Sequence, residues 1–244
     1  MELKNNTVLI TGGGSGIGFA LAKRFTKAGN QVIICGRRKE QLEIAKIKLP
    51  NLICYQVDVS QEKERLDFVA RVTLEHPALN VLINNAGVQN RPAPLVEPQD
   101  WSKHRLEIST NLEAPIHLSL LFIPHLQKQT HPVIINVSSG LAFTPLSFMS
   151  TYCLTKAALH SFTMSLRHQL KATPIQVVEL IPPAVNTDLG GTGLHTAGVN
   201  LDEFADHCMS KLEQGDLEFG FGTSEERRHF SREQLDQYFL TMNK

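Results

Sequence analysis

The sequence has little of what disulfide-stapled or metal-built folds depend on. Its four cysteines, Cys35, Cys54, Cys153 and Cys208, lie far apart with no CxxC pair, and its ten histidines form no cluster with metal-ligand spacing. Reduced structural thiols are expected, and no metal. Charge of one sign is not in excess either: 24 Lys and Arg balance 24 Asp and Glu. The chain as a whole offers no electrostatic footprint for nucleic acid or an anionic membrane, and neither is expected as a partner. Long apolar runs are also missing. The most apolar stretch, around Leu118 to Pro124, is too short to span a bilayer, and the start MELKNNTVLITGGG lacks a charged-then-apolar signal pattern. The expected location is the cytoplasm.

What is present is ordinary for a globular protein: 244 residues, 42% hydrophobic and 20% charged. A single domain over residues 1–244 buries about 70 to 75% of its unfolded surface without staples. The neutral total hides an asymmetry, because residues 1–50 carry nine basic and three acidic side chains, whereas residues 179–244 carry five and twelve. Most of these groups read as solvated surface; Arg37 and Arg38 are the exceptions developed below.

Short β-branched runs alternate with amphipathic segments of helical length. Strands are expected at Thr7–Thr11, Gln31–Cys35, Leu52–Val57, Val81–Asn84, Val133–Ser138 and Ile175–Ile181. Each is almost wholly apolar, as strands covered on both faces must be. Helices are expected near 16–28, 38–48, 61–75, 100–109, 112–129, 151–171 and 202–214. Ser231 and Gln234 have capping-box spacing and predict a last helix to about Met242, within a short helical extension near 225–244. The fold class is α/β, a single doubly wound Rossmann-type domain whose ligands bind beyond the carboxyl ends of the strands.

The first strand runs into Thr11-Gly12-Gly13-Gly14-Ser15-Gly16-Ile17-Gly18. This departs from GxGxxG, since Ile17 stands where the last glycine would be, but it fits GxxxGxG through Gly12, Gly16 and Gly18. Either spacing gives a tight turn, close backbone approach to a pyrophosphate, and a bare helix N-terminus that favours an anion; a purely structural glycine turn is the competing reading. The second strand ends Gly36-Arg37-Arg38, with no acid between Asn30 and Lys39. A carboxylate there would hold an NAD ribose and repel a 2′-phosphate, whereas arginine can pair with that phosphate. Arg37 therefore points to NADP(H) in preference to NAD(H), unless both arginines merely face solvent beside the second helix.

Tyr152 and Lys156 form YxxxK, which puts both side chains on one face of a helix. An unperturbed tyrosine titrates near about 10, and a neighbouring ammonium is expected to lower it toward useful acid–base range. Ser138 and Ser139 follow the fifth strand, Asn84-Asn85-Ala86-Gly87 ends the fourth, and Asn111 opens a long helix. Together with the glycine turn, these elements resemble the short-chain dehydrogenase/reductase family over roughly residues 7–190.

The resemblance implies that Tyr152 is the general acid/base, Ser139 orients the substrate oxygen, Lys156 also holds the nicotinamide ribose, and Asn111 supports a water-linked proton relay. It implies cofactor contacts from Gly12, Ser15, Gly16, Ile17 and Gly18, from Asp58 and Val59 at the adenine, from Asn85, Ala86 and Gly87 beside the adenosine ribose, and from Val185 and Thr187 at the nicotinamide amide. The implied activity is interconversion of an alcohol and a carbonyl on a small or medium apolar substrate. A catalytically silent NADP(H)-binding redox sensor is the alternative, favoured by one departure: Pro182-Pro183-Ala184 stands where the family usually has Pro-Gly. That departure and the ending Glu218-Phe219-Gly220-Phe221-Gly222-Thr223-Ser224 resemble a DltE-like subgroup. A glycine-rich segment near 188–201 holds the place of a substrate lid; Leu189, Leu194 and His195 are its candidate lining, with His195 read as a solvated loop residue. Phe143, Leu146, Phe148 and Met149 line an apolar pocket or belong to the core. The helix from Leu112 is more apolar than one sheet face requires, and the family resemblance makes it part of a homodimer or homotetramer.

Overall fold

Strands form where the β-branched runs fall, and the intervening amphipathic segments coil against them. The computed structural model describes residues 1–92 and 94–244. In chain order it runs β1 (Thr7–Thr11), α1 (Gly16–Lys27), β2 (Gln31–Gly36), α2 (Lys39–Lys48), β3 (Ile53–Gln56), α3 (Glu62–Glu75), β4 (Leu79–Asn84) and α4 (Trp101–Ile108). It continues with α5 (Ala114–Leu126), β5 (Val133–Val137), α6 (Ser150–Gln169), β6 (Gln176–Ile181), α7 (Leu201–Gln214), β7 (Glu218–Gly220), α8 (Thr223–Arg227) and α9 (Arg232–Met242).

All strands pair in parallel, in the order β3-β2-β1-β4-β5-β6-β7. Strand order reverses between β1 and β4, and this is where a doubly wound sheet opens a crevice at its carboxyl edge. Side chains alternate along each strand: Ile10 joins the core with Phe25, Phe204 and Phe219, while Leu9 joins the core on the other face with Phe68, Val72 and Phe122. Burial on both faces is why the strand sequences show no polar alternation.

A buried polar seam ties α5 and α6 to the sheet. Asn84 and Asn136 are register partners on β4 and β5. Asn84 Nδ2 donates to Asn136 Oδ1 (2.9 Å) and to Ser119 Oγ on α5 (3.1 Å), and Asn136 Nδ2 donates to Thr163 Oγ1 on α6 (2.9 Å). In an apolar interior these bonds specify one seat for α6, the helix that carries Tyr152 and Lys156.

The expected elements are all found, with shifted ends. The 112–129 helix stops at Leu126, and its start is replaced by a π-helical turn, Ser109–Glu113, that joins α4 to α5 and contains Asn111. Several short elements were not expected, among them β7 and α8. β7 is only three residues long and α8 five, both below the length at which periodicity is readable. The capping box is formed at α9: Gln234 N donates to Ser231 Oγ (3.3 Å) and Ser231 N donates to Gln234 Oε1 (2.8 Å).

Candidate active site

The glycine turn is sewn to the end of β4. Thr11 Oγ1 accepts from Asn85 N and Ala86 N, both at 3.0 Å, and Asn85 Nδ2 donates to Thr11 O at 2.9 Å. So close an approach leaves no room for side chains. A Cβ on Gly12, whose φ is +66°, would lie 2.9 Å from Ala86 Cα, and one on Gly18 would lie 2.5 Å from both Asn85 Nδ2 and Gly12 O. Ser15 caps α1 without a side-chain bond, and the first turn of α1 has no acidic residue. Its amides and dipole are thus available to an anion. Arg38 Nη2 donates to Ser15 Oγ (3.0 Å). Arg37 and Arg38 are exposed at the rim, and neither has a carboxylate partner among the described residues.

At the other end, Tyr152 and Lys156 lie one turn apart on α6 and are 6% and 4% exposed. Lys156 Nζ donates to the carbonyl of Val137 at 2.8 Å and stands 5.8 Å from the centre of the Tyr152 ring. Burial pushes the Lys156 ammonium down to about 8, opposed by the charge of Glu179. Burial likewise raises the Tyr152 phenol well above its usual range, opposed by the Ser139 hydroxyl. The expected lowering by Lys156 is therefore not found in this structure: desolvation of the phenolate outweighs the help of its neighbours. Ser139 Oγ accepts from Leu141 N (3.1 Å), which fixes the turn after β5.

One cavity of about 1130 Å³ joins the two ends. Of the candidate site residues, Gly12, Ser15, Gly16, Ile17, Arg37, Asp58, Val59, Asn85, Ala86, Gly87, Ser139, Tyr152, Lys156, Val185 and Thr187 line it. Gly18 and Asn111 do not. Gly18 is buried and serves the approach of α1 to Gly12. Asn111 is 1% exposed, and its amide is spent on Val88, accepting from Val88 N and donating to Val88 O, both at 2.8 Å. Among the apolar candidates, Leu146, Phe148 and Met149 line the cavity, whereas Phe143 packs 4.7 Å from the ring of His160. The segment near 188–201, expected to be a lid, is closed at its base by the Val185–Val199 bridge, and His195 Nε2 meets Gln89 Oε1 at 3.0 Å. Leu189 and His195 are on the wall and Leu194 is not. Sequence reasoning singled out the Arg37-Arg38 doublet but carried only Arg37 into the site, and it passed over Gln89, Arg227 and Met242, whose places on the wall depend on loop paths with no motif.

The cleft suits a dinucleotide: a turn too tight for a Cβ at Gly12, Gly13 or Gly18, an uncapped helix N-terminus above it, and two guanidinium groups free of carboxylates on its rim. The sequence pattern of the short chain dehydrogenase family matches residues 6–196. The chain is 43% identical to an uncharacterized oxidoreductase, DltE, of Bacillus subtilis, over 100% of this chain and 98% of the relative. It is 31% identical to the NADP-dependent 3-hydroxy acid dehydrogenase YdfG of Escherichia coli, over 76% and 73%. The crystal structure of a short chain dehydrogenase from Burkholderia cenocepacia in complex with NADP superposes with TM-score 0.85 at 25% identity, over 98% and 99% of the chains. A 3-ketoacyl-(acyl-carrier-protein) reductase from Brucella melitensis, complexed with NADH, does so with TM-score 0.80 at 28% identity, over 91% and 100%. With the parallel sheet, the glycine turn and the Ser139, Tyr152, Lys156 constellation on one cleft, this chain belongs to the short-chain dehydrogenase family of oxidoreductases.

Proposed function

We propose that the protein is an NADP(H)-dependent oxidoreductase that interconverts an alcohol and a carbonyl on a small or medium, largely apolar substrate. The observation that carries this reading is that Tyr152, Ser139 and Lys156 share a single cavity with the glycine turn and the arginine doublet. When bound, the nicotinamide cofactor supplies or accepts the hydride. Arg37 and Arg38 hold the 2′-phosphate as charge-assisted donors. The amides of Ser15, Gly16 and Ile17 take the pyrophosphate, Asp58 and Val59 the adenine, and Asn85, Ala86 and Gly87 the adenosine ribose. Val185 and Thr187 face the nicotinamide amide. Tyr152 Oη gives a proton to the substrate oxygen in reduction and takes it in oxidation, Ser139 Oγ orients that oxygen, and Lys156 holds the nicotinamide ribose. Asn111 and Gly18 act from behind the wall as positioning residues.

The NADP-dependent relative and the NADP-bound neighbour support the choice of cofactor, and the Arg37-Arg38 rim supports it independently. No helix among the described residues is long and apolar enough to cross a membrane. The test is NADPH oxidation by wild type and Tyr152→Phe on a panel of ketones, aldehydes and quinones. Turnover that falls at least about a hundredfold in the variant, with NADPH affinity retained, is expected. NADPH bound tightly with no carbonyl reduced would overturn this reading in favour of the silent sensor.

A further inference from the structure

Arg227 and Arg228 are consecutive at the end of α8, yet their surroundings differ completely. Arg228 is consumed by carboxylates: Nη2 pairs with Glu225 Oε1 at 2.7 Å, and Nη1 lies 3.9 Å from Glu218 Oε1. Arg227 lines the cavity together with Ser139, Leu146, Tyr152 and Met242. It has no carboxylate partner among the described residues, although its guanidinium is firmly held. Tyr238 of α9 lies under it, with the ring centre 4.8 Å from Cζ, and accepts from Nη2 at 3.3 Å. Phe230 packs edge-on against Tyr238 at 5.7 Å. On the other side Nη1 approaches Gly140, 3.5 Å from where a Cβ would stand, one residue after Ser139. The Nε atom is buried without a hydrogen-bond partner.

A positioned guanidinium with unspent donors, on a cavity wall that also holds the apolar side chains of Leu146, Met149 and Met242, is suited to receive a carboxylate. Its alternatives fit less well: the structural arginines here spend their donors on the protein, Arg228 on carboxylates and Arg65 on Val59 O and His117 Nδ1, and a solvated one would not be clamped between an aromatic ring and a glycine. We infer that Arg227 binds the carboxylate of an oxo acid (or, in the reverse direction, a hydroxy acid), and so sets the substrate class of the oxidoreductase proposed above. The inference rests on that reading for the position of the reacting carbonyl near Ser139 and Tyr152. The apolar residues Leu146, Met149 and Met242 would then contact the hydrocarbon part of the acid.

The experiment compares 2-oxobutanoate, 3-oxobutanoate and 4-oxopentanoate, each against its methyl ester, in wild type, Arg227→Gln and Arg227→Lys, with NADPH oxidation as one readout. The second readout is thermal stabilisation by the same acids and esters without turnover. At least one acid is expected to exceed its ester in kcat/KM by about tenfold or more, the usual worth of a hydrogen bond to a charged group. Arg227→Gln should abolish that preference, lowering kcat/KM for the acid at least about tenfold more than for its ester, with Arg227→Lys between the two. Acids should stabilise wild type and not Arg227→Gln. If no acid exceeds its ester in wild type on either readout, or Arg227→Gln lowers acid and ester equally, the inference is overturned, and the wild-type comparison decides even if a variant fails to fold. Binding of acids lost in Arg227→Gln, with no carbonyl reduced, would uphold the carboxylate receptor while refuting the proposed reaction; esters reduced without acid preference would do the opposite.

Discussion

His160 Nδ1 lies 2.9 Å from Oε2 and 3.1 Å from Oε1 of Glu179, a fully buried carboxylate on β6. His160 is one helical turn after Lys156, so the same carboxylate that pairs with the imidazole also supports the Lys156 ammonium. A buried charge needs a partner, and the pair keeps a negative charge directly behind the candidate catalytic lysine.

This pairing makes stability depend on pH. The hydrogen bond to Glu179 raises His160 above its usual range, aided by Glu179 and Glu218 charges and opposed by burial and Arg167. Because the folded value is the higher one, the contribution is complete below the unfolded value of about 6.5 and is lost as pH rises through the folded value. His160→Gln should therefore cost about 1–2 kcal/mol more at pH 5.5 than at pH 9. Denaturant titration at both pH values checks this, and an equal cost at the two would refute it.

The arginine rim predicts cofactor choice. Arg37→Ala and Arg38→Ala should each weaken NADPH binding at least about tenfold while leaving NADH binding nearly unchanged. Isothermal titration with both cofactors measures it; equal losses would remove the 2′-phosphate contact.

Gly18→Ala tests the close approach of α1. Alanine is the better helix former, but its Cβ would meet Gly12 O and Asn85 Nδ2 at 2.5 Å. Overpacking should win, with a net loss of about 1–3 kcal/mol and a melting point lower by about 2–4 °C for each. An unchanged or higher melting point would show that the turn can yield.

Pro183 lines the cavity, and the carbonyl of Pro182 before it accepts from Gly140 N at 2.9 Å. Pro183→Gly frees φ in a segment the proline holds stiff. An altered NADPH dissociation constant or turnover is expected, and no change in either would show the substitution to be silent.

Leu120 on α5, and Leu154 and Met164 on α6, are each more than half exposed. If a second copy covers them the protein is a dimer or tetramer, and Leu154→Glu with Met164→Glu should give a monomer. Light scattering at micromolar concentration decides; a monomeric wild type refutes the assembly.

Much of this was legible along the chain, because local physics wrote it there. Strands covered on both faces had to be continuous apolar runs, as Val8, Leu9 and Ile10 are. The turn after β1 needed glycine where backbones touch, and Tyr152 and Lys156 had to be four residues apart to share a helical face. Asn111 was readable as a position, its relay role came from the family resemblance alone, and the fold adds that its amide bonds both backbone groups of Val88.

The amino-acid sequence by itself determined the element order, the parallel sheet, the glycine cradle and the placing of Tyr152 and Lys156 on one helical face. Those features depend on spacing within a few residues. Tertiary structure alone decided which groups face the cavity and at what electrostatic cost. Burial, not Lys156, governs the Tyr152 phenol, and Arg227 reaches the wall beside Ser139 only because α8 and α9 fold back across the end of β5. Both depend on desolvation and on contacts between distant segments, quantities that no local pattern encodes.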